Sequence, residues 1–140
     1  MKIETLLAEK TATALHSLFG FEFPSAQITF QKTKSEFAGD LTLVVFPFVR
    51  ASKISPEQTA QKLGEWLKAE VQEVASYNVV KGFLNLEIAN SYWLGFFSEI
   101  KKNPKYGIQP ITENAPVQMV EYCGPNTNKP LHLGHVRNCL

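Results

Sequence analysis

With 140 residues the chain has room for one ordinary domain, or for a small domain plus a piece of another. Its 44% hydrophobic and 19% charged residues exclude a disordered chain, and a formal net charge of +1 excludes a global field drawing it to nucleic acid or a membrane surface. Any RNA contact must be local.

The N-terminal segment carries Glu4 and Glu9 inside its apolar pattern, whereas a secretion signal needs an uninterrupted apolar stretch. No run approaches the roughly 20 apolar residues that cross a bilayer. Two cysteines make a poor disulfide framework. A cytoplasmic protein with no membrane partner is expected.

In chain order, Ile3, Leu6, Leu7, Ala14, Leu15, Leu18 and Phe19 recur at helical spacing, and Gly20 follows where a left-handed cap sits. This predicts a helix over 3–19. A strand is expected from Gln27 to Lys32, then a turn through Gly39-Asp40, then a strand over 41–45. Pro47 cannot donate to a ladder and suits the first turn of a helix, which is placed from there. Ser55, Pro56 and Gln58 spell a capping box with proline at the first helical position, so a helix over 56–70 follows, with Ala60, Leu63, Trp66 and Leu67 inward. Two extended runs flank Lys81-Gly82 and predict a hairpin. Asn90 is expected to cap a further helix whose aromatic cluster, Tyr92 to Phe97, is assigned to the core rather than to base stacking. His16, mid-helix, reads as structural or surface.

Three prolines and a glycine between Asn103 and Pro116 have a linker's composition. The expected division is a domain over 1–103, a linker over 104–116 and a second unit over 117–140. In that unit "VQMVEYC" has the character of a buried strand, "GPNTNKP" of a loop, and "LHLGHVRNCL" opens a helix without a stop signal. The chain is therefore expected to be a piece of a longer protein.

A strand, a loop with Gly and Pro, and a helix opening with His and Gly is how an α/β fold presents a nucleotide, with phosphates facing the helix N-terminus. Gly134 leaves space for close approach, and His132 and His135, three apart, occupy one helical face. Two imidazoles so placed can donate to one phosphate as charge builds in a phosphoryl transition state. Two blander assignments stand beside this. The histidines could merely cap and solvate a helix start, or His132, His135, Cys123 and Cys139 could share a metal ion. No Cys-x-x-Cys pair accompanies them, and no metal is assigned.

The stretch "VEYCGPNTNKPLHLGHVRN" resembles the signature of class I aminoacyl-tRNA synthetases, and that of arginyl-tRNA synthetases in particular, because Pro-Asn-x-x-Lys-Pro directly precedes His-x-Gly-His. Upstream, Gly39-Asp40 and "GFLNLEI" are similar to that family's N-terminal domain. The resemblance implies an α+β fold: a small N-terminal domain of helices packed on an antiparallel sheet, then the opening strand and helix of a Rossmann-like catalytic domain. It implies an ATP-dependent ligase joining L-arginine to tRNA(Arg), with ATP as substrate together with Mg2+, no tightly bound cofactor, no DNA partner, and a monomeric longer protein. This chain alone is expected to be inactive.

Carried over position by position, His132, Gly134 and His135 match the ATP-binding motif, with Lys129 near the phosphates. Glu121 matches the carboxylate that reads the substrate guanidinium, a planar bidentate pairing, and Asn126 matches the holder of the amino and carboxylate end. Cys123-Gly124 replaces two small hydroxyl residues usual in the family. The N-terminal domain of the family meets the elbow of tRNA, for which Phe37, Asn78, Lys81 and Phe83 are the candidates. For both phenylalanines packing is an equal or better explanation, and Lys32 and Lys34 fit a solvated strand end, with a phosphate contact as the lesser alternative. A stand-alone RNA- or protein-binding module with a vestigial motif, and another class I synthetase, are the alternatives.

Overall fold

The computed structural model describes residues 2–108, 110–120, 124 and 128–139. The chain divides into two compact units, Met1–Pro104 and Lys105–Leu140.

In the first unit, α1 spans Ile3–Phe19, β1 Phe30–Lys32, β2 Leu41–Val44, α2 Phe46–Ser52, α3 Pro56–Glu70, β3 Val74–Val80, β4 Phe83–Ile88 and α4 Asn90–Lys102. Helix α1 ends as expected: Gly20 adopts φ 62° and its N–H donates to the carbonyls of His16 and Leu15. The capping box of α3 is complete, with the Gln58 N–H donating to Ser55 Oγ at 3.2 Å and the Ser55 N–H to Gln58 Oε1 at 3.4 Å. Pro47 lies in the first turn of α2. The first strand is shorter than expected, because Ser25–Gln27 closes a 3-10 turn and leaves only Phe30–Lys32 for pairing.

The four strands form one antiparallel sheet in the order β1-β2-β4-β3. Lys81 and Gly82 join β3 to β4 with φ of 48° and 79°; two positive φ values match the right-handed twist of the strands they connect. Alternation then sorts the side chains. Leu43, Leu84, Leu86 and Ile88 enter the core with Leu7, Leu15, Phe48, Leu63 and Leu67 from the helices. The opposite face carries Gln31, Thr42, Asn85 and Asn78, which sit opposite one another in register across β1, β2, β4 and β3.

Gly39-Asp40 fastens the start of β2 to β4. The Asp40 N–H donates to the Leu86 carbonyl at 2.7 Å, and Asp40 Oδ2 accepts the Ile88 N–H at 2.8 Å, so the carboxylate continues the ladder where the backbone leaves it. Gly39, at φ 121°, lies against Asn85, where an added Cβ would stand 3.1 Å from the Asn85 Cβ.

Helix α4 departs from expectation twice. Ala89 is its cap, without a side-chain hydrogen bond, and Asn90 is its first residue. No residue of α4 is buried: Leu94 is 67% and Phe97 63% exposed, while Tyr92 and Phe96, stacked on each other, are half-buried. The apolar spacing specifies a helix but not a partner, and only Tyr92 reaches the core of this unit.

In the second unit the structure shows α5, Leu133–Cys139. Residues 117–120 pair with no strand among the described residues, and Val117 and Met119 are fully exposed. The expected opening strand does not form there, since an apolar run becomes a strand only when a neighbour supplies the ladder.

Candidate functional site

A pocket of about 230 Å³ opens on the polar side of the sheet. Phe37 from the β1–β2 loop, Lys81 from the hairpin turn and Phe83 from β4 all line it, which brings three of the four RNA candidates to one place. Asn78 is exposed on the same sheet face, opposite Asn85, but does not line the pocket.

Each group has a local reason for its position. Lys81 projects from the tight turn. Phe83 follows that turn and rests edge-on against Phe46 of α2, with centroids 5.8 Å apart and planes at 85°. Gly82 makes room for this packing: a Cβ there would stand 2.9 Å from the Pro56 Cβ and 3.0 Å from the Phe46 Cζ. Phe83 is 38% exposed and Phe37 39%, so each ring keeps an accessible side while its remainder is packed. Packing and exposure are thus combined rather than exclusive.

Lys32 and Lys34 also line the pocket, which makes three lysines, and among the described residues the lining holds no carboxylate. The floor contains Thr42 and Asn85, polar residues that sequence reasoning did not single out. Asn85 is 2% exposed and its Nδ2 has no hydrogen-bond partner among the described residues. The signal was present in period two: Phe83 and Asn85 share a face, and an Asn between two buried leucines has to be polar on purpose or by a bond to its neighbours. Aromatic faces, ammonium groups and a buried amide donor are together the equipment for an unstacked nucleobase and its phosphates.

The second candidate set lies at the N-terminal end of α5 and in the residues before it. The His132 backbone N–H donates to Nδ1 of His135 at 3.1 Å, and Nδ1 of His132 accepts the Gly134 N–H at 3.1 Å. The imidazole centroids are 4.0 Å apart. The two histidines therefore cap the helix reciprocally, as the blander assignment expected; an accepting Nδ1 carries no proton, so each neutral ring keeps its N–H at Nε2, which the capping does not use. Gly134 is explained by the same geometry, because a Cβ there would come within 2.9 Å of His132 Cε1. His132 and Lys129 are exposed and His135 half-buried. Glu121, Asn126 and Cys123 lie outside the described residues. Among the described residues no group of three or more His, Cys, Asp or Glu side chains is placed to hold a metal ion, and no helix is long and apolar enough to cross a membrane.

Residues 4–88 match the family model described as the arginyl tRNA synthetase N terminal domain. Over its whole length the chain is 56% identical to the arginine--tRNA ligase of Bacteroides fragilis and 53% identical to that of Porphyromonas gingivalis, covering 24% of each. Among solved structures, Thermus thermophilus arginyl-tRNA synthetase matches with a TM-score of 0.58 and 26% identity, over 98% of this chain and 21% of that one. The chain thus spans about a quarter of the length of these curated relatives. Since the family match runs from Glu4 to Ile88, more than half of the chain, across α1 to α3 and all four strands of the sheet that carries the pocket, this chain belongs to the arginyl tRNA synthetase N terminal domain family.

Proposed function

We propose that the chain is the N-terminal part of an arginine–tRNA ligase and that its own task is to hold the elbow of tRNA(Arg) through the sheet-face pocket. One observation carries this: Phe37, Phe83 and three lysines converge on a pocket floored by the buried Asn85 amide, whose Nδ2 has no partner among the described residues, inside the segment that matches the family. Unstacked bases at the tRNA elbow offer π-faces and edges to such a surface, and the lysines meet the phosphates. Asn78 would extend the contact along the sheet.

The ligase reaction belongs to the longer protein. There His132, His135 and Gly134, with Lys129, are assigned to the ATP phosphates, which arrive with Mg2+; Glu121 is assigned to the arginine guanidinium and Asn126 to its amino and carboxylate end. That the capping bonds use Nδ1 of each ring and not Nε2 supports that role. The same proposal divides the chain into a tRNA-contacting domain over 1–103, a linker over 104–116 and the start of a catalytic domain over 117–140. The longer protein is taken as a cytoplasmic monomer.

The test is fluorescence anisotropy with an end-labelled transcript of an arginine tRNA. Phe83→Ala is expected to weaken binding by roughly 5- to 150-fold, the equivalent of one base-stacking contact. Lys81→Ala should weaken it and reduce the salt slope by about 1. Unchanged binding by both variants overturns the assignment.

A further inference from the structure

Thr42 stands in register between Gln31 and Asn85. Its hydroxyl donates to Asn85 Oδ1 at 2.7 Å and lies 2.9 Å from the hydroxyl of Thr33. All three side chains are withdrawn from water, at 7% exposure for Thr33, 6% for Thr42 and 2% for Asn85. A hydroxyl has a single hydrogen to give. With the hydrogen of Thr42 committed to Oδ1, the 2.9 Å contact is made by Thr33 donating to Thr42, and the relay runs in one direction, from Thr33 through Thr42 to the Asn85 carbonyl.

An amide is planar, so holding Oδ1 also holds Nδ2. Both Asn85 and Thr42 line the pocket, and Nδ2 is buried with no partner among the described residues. Such a donor bears its full desolvation penalty until something offers it an acceptor. The backbone at Gly39 runs beside the root of the side chain, close enough that an added Cβ there would stand 3.1 Å from the Asn85 Cβ.

We infer that Thr42 and Thr33 are positioning residues, whose hydroxyl relay keeps the Asn85 amide nitrogen as the donor at the pocket and so makes the pocket select a base edge offering an acceptor, a ring nitrogen or carbonyl. Neither threonine is assigned a contact with RNA; both act through Asn85. The inference deepens the tRNA-contact proposal above and rests on it.

The experiment is binding of the labelled arginine-tRNA transcript to the full chain at several salt concentrations. Thr42→Val, which keeps the shape and removes the hydroxyl, is expected to weaken binding about fivefold or more, and Thr42→Ser to return it to within about twofold of the wild type. The salt slope should stay unchanged in both, because no phosphate contact is touched. Asn85→Asp, which retains an acceptor for Thr42 but replaces the pocket donor by an oxygen, should weaken binding at least as much as Thr42→Val. In the free chain, the side-chain amide resonances of Asn85 should shift in Thr42→Val and return in Thr42→Ser, a signature that does not depend on RNA. Wild-type affinity for Thr42→Val or Asn85→Asp, or no rescue by serine, overturns the inference. If Phe83→Ala and Lys81→Ala lose affinity while Thr42→Val does not, the relay alone fails; if none loses affinity, the tRNA-contact proposal fails with it.

Discussion

Gly64 lies in the third turn of α3, where an alanine would ordinarily be an improvement. Removing a glycine from a helix interior stabilises by about 0.8–1.0 kcal/mol. Here the added methyl would meet the Tyr77 ring at 2.4 Å from Cδ2, 2.7 Å from Cε2 and 2.8 Å from Cγ. Cγ is the root of the ring, so turning the ring about its own axis does not clear the clash. Either Tyr77 leaves its seat, giving up the bond in which its hydroxyl accepts Gln61 Nε2 at 2.8 Å, or α3 lifts from β3. Overpacking of this kind costs about 1–3 kcal/mol. Set against the propensity gain, Gly64→Ala is expected to destabilise by about 1 kcal/mol, lowering Tm by about 4–8 °C for a domain of this size. The decisive measurement is urea unfolding in two backgrounds. With Tyr77→Ala already in place the steric term vanishes, and the same Gly64→Ala change should now stabilise by roughly 0.8–1.0 kcal/mol, a coupling of about 2 kcal/mol in the double-mutant cycle. The same sign in both backgrounds would refute the account.

Three further outcomes are expected. Ser55→Ala removes one half of the α3 capping box and should lower unfolding free energy by about 1 kcal/mol, with no change in denaturant slope. Lys81→Asn relieves a positive φ that a lysine adopts poorly; it should stabilise the chain by up to about 1 kcal/mol while weakening tRNA binding, so Tm and affinity move in opposite directions. Burial raises the Tyr77 phenol above its ordinary value, Glu65 adds to the rise and the bond from Gln61 opposes it. A raised native pKa means its stabilising contribution is complete below the unfolded value of 10.0 and lost as pH climbs through the native one. Tyr77→Phe should therefore flatten the alkaline limb of a stability profile taken over about pH 9–11, and an unaltered limb would show that another group sets it.

Local signals carried most of the elements. The left-handed glycine after α1, the capping box of α3 and the Lys81-Gly82 hairpin are decided within a few residues of chain, so they can be read without knowing the fold. What depends on a distant partner was harder. The aromatic run of α4 has the periodicity of a core helix, yet whether a face is covered is decided by what packs on it, and little of this unit does. The run 117–120 is apolar enough for a strand but finds no ladder among the described residues. At the pocket, Phe37, Lys81 and Phe83 were legible as exposed loop chemistry. Asn85 and Thr42 were not, because their meaning comes from lying opposite each other across two strands that are 43 residues apart in sequence. For α5, the reciprocal capping by His132 and His135 depends on side chains three residues apart turning toward each other's backbone, and it occupies Nδ1 of each ring.

The loop over 33–40 is tied at its stem by the Thr33 N–H donating to the Asp40 carbonyl at 3.0 Å and at its tip by the Phe37 N–H donating to the Lys34 carbonyl at 3.0 Å. Asp40 in turn is anchored on β4. Much of the backbone freedom of Lys34 and Phe37 is therefore surrendered during folding and not again on association, where fixing the backbone of one residue costs about 1–2 kcal/mol. Lengthening the loop between Glu36 and Phe37 would hand that entropy back to the free state: every contact could still form, but it would form from a broader ensemble and release faster.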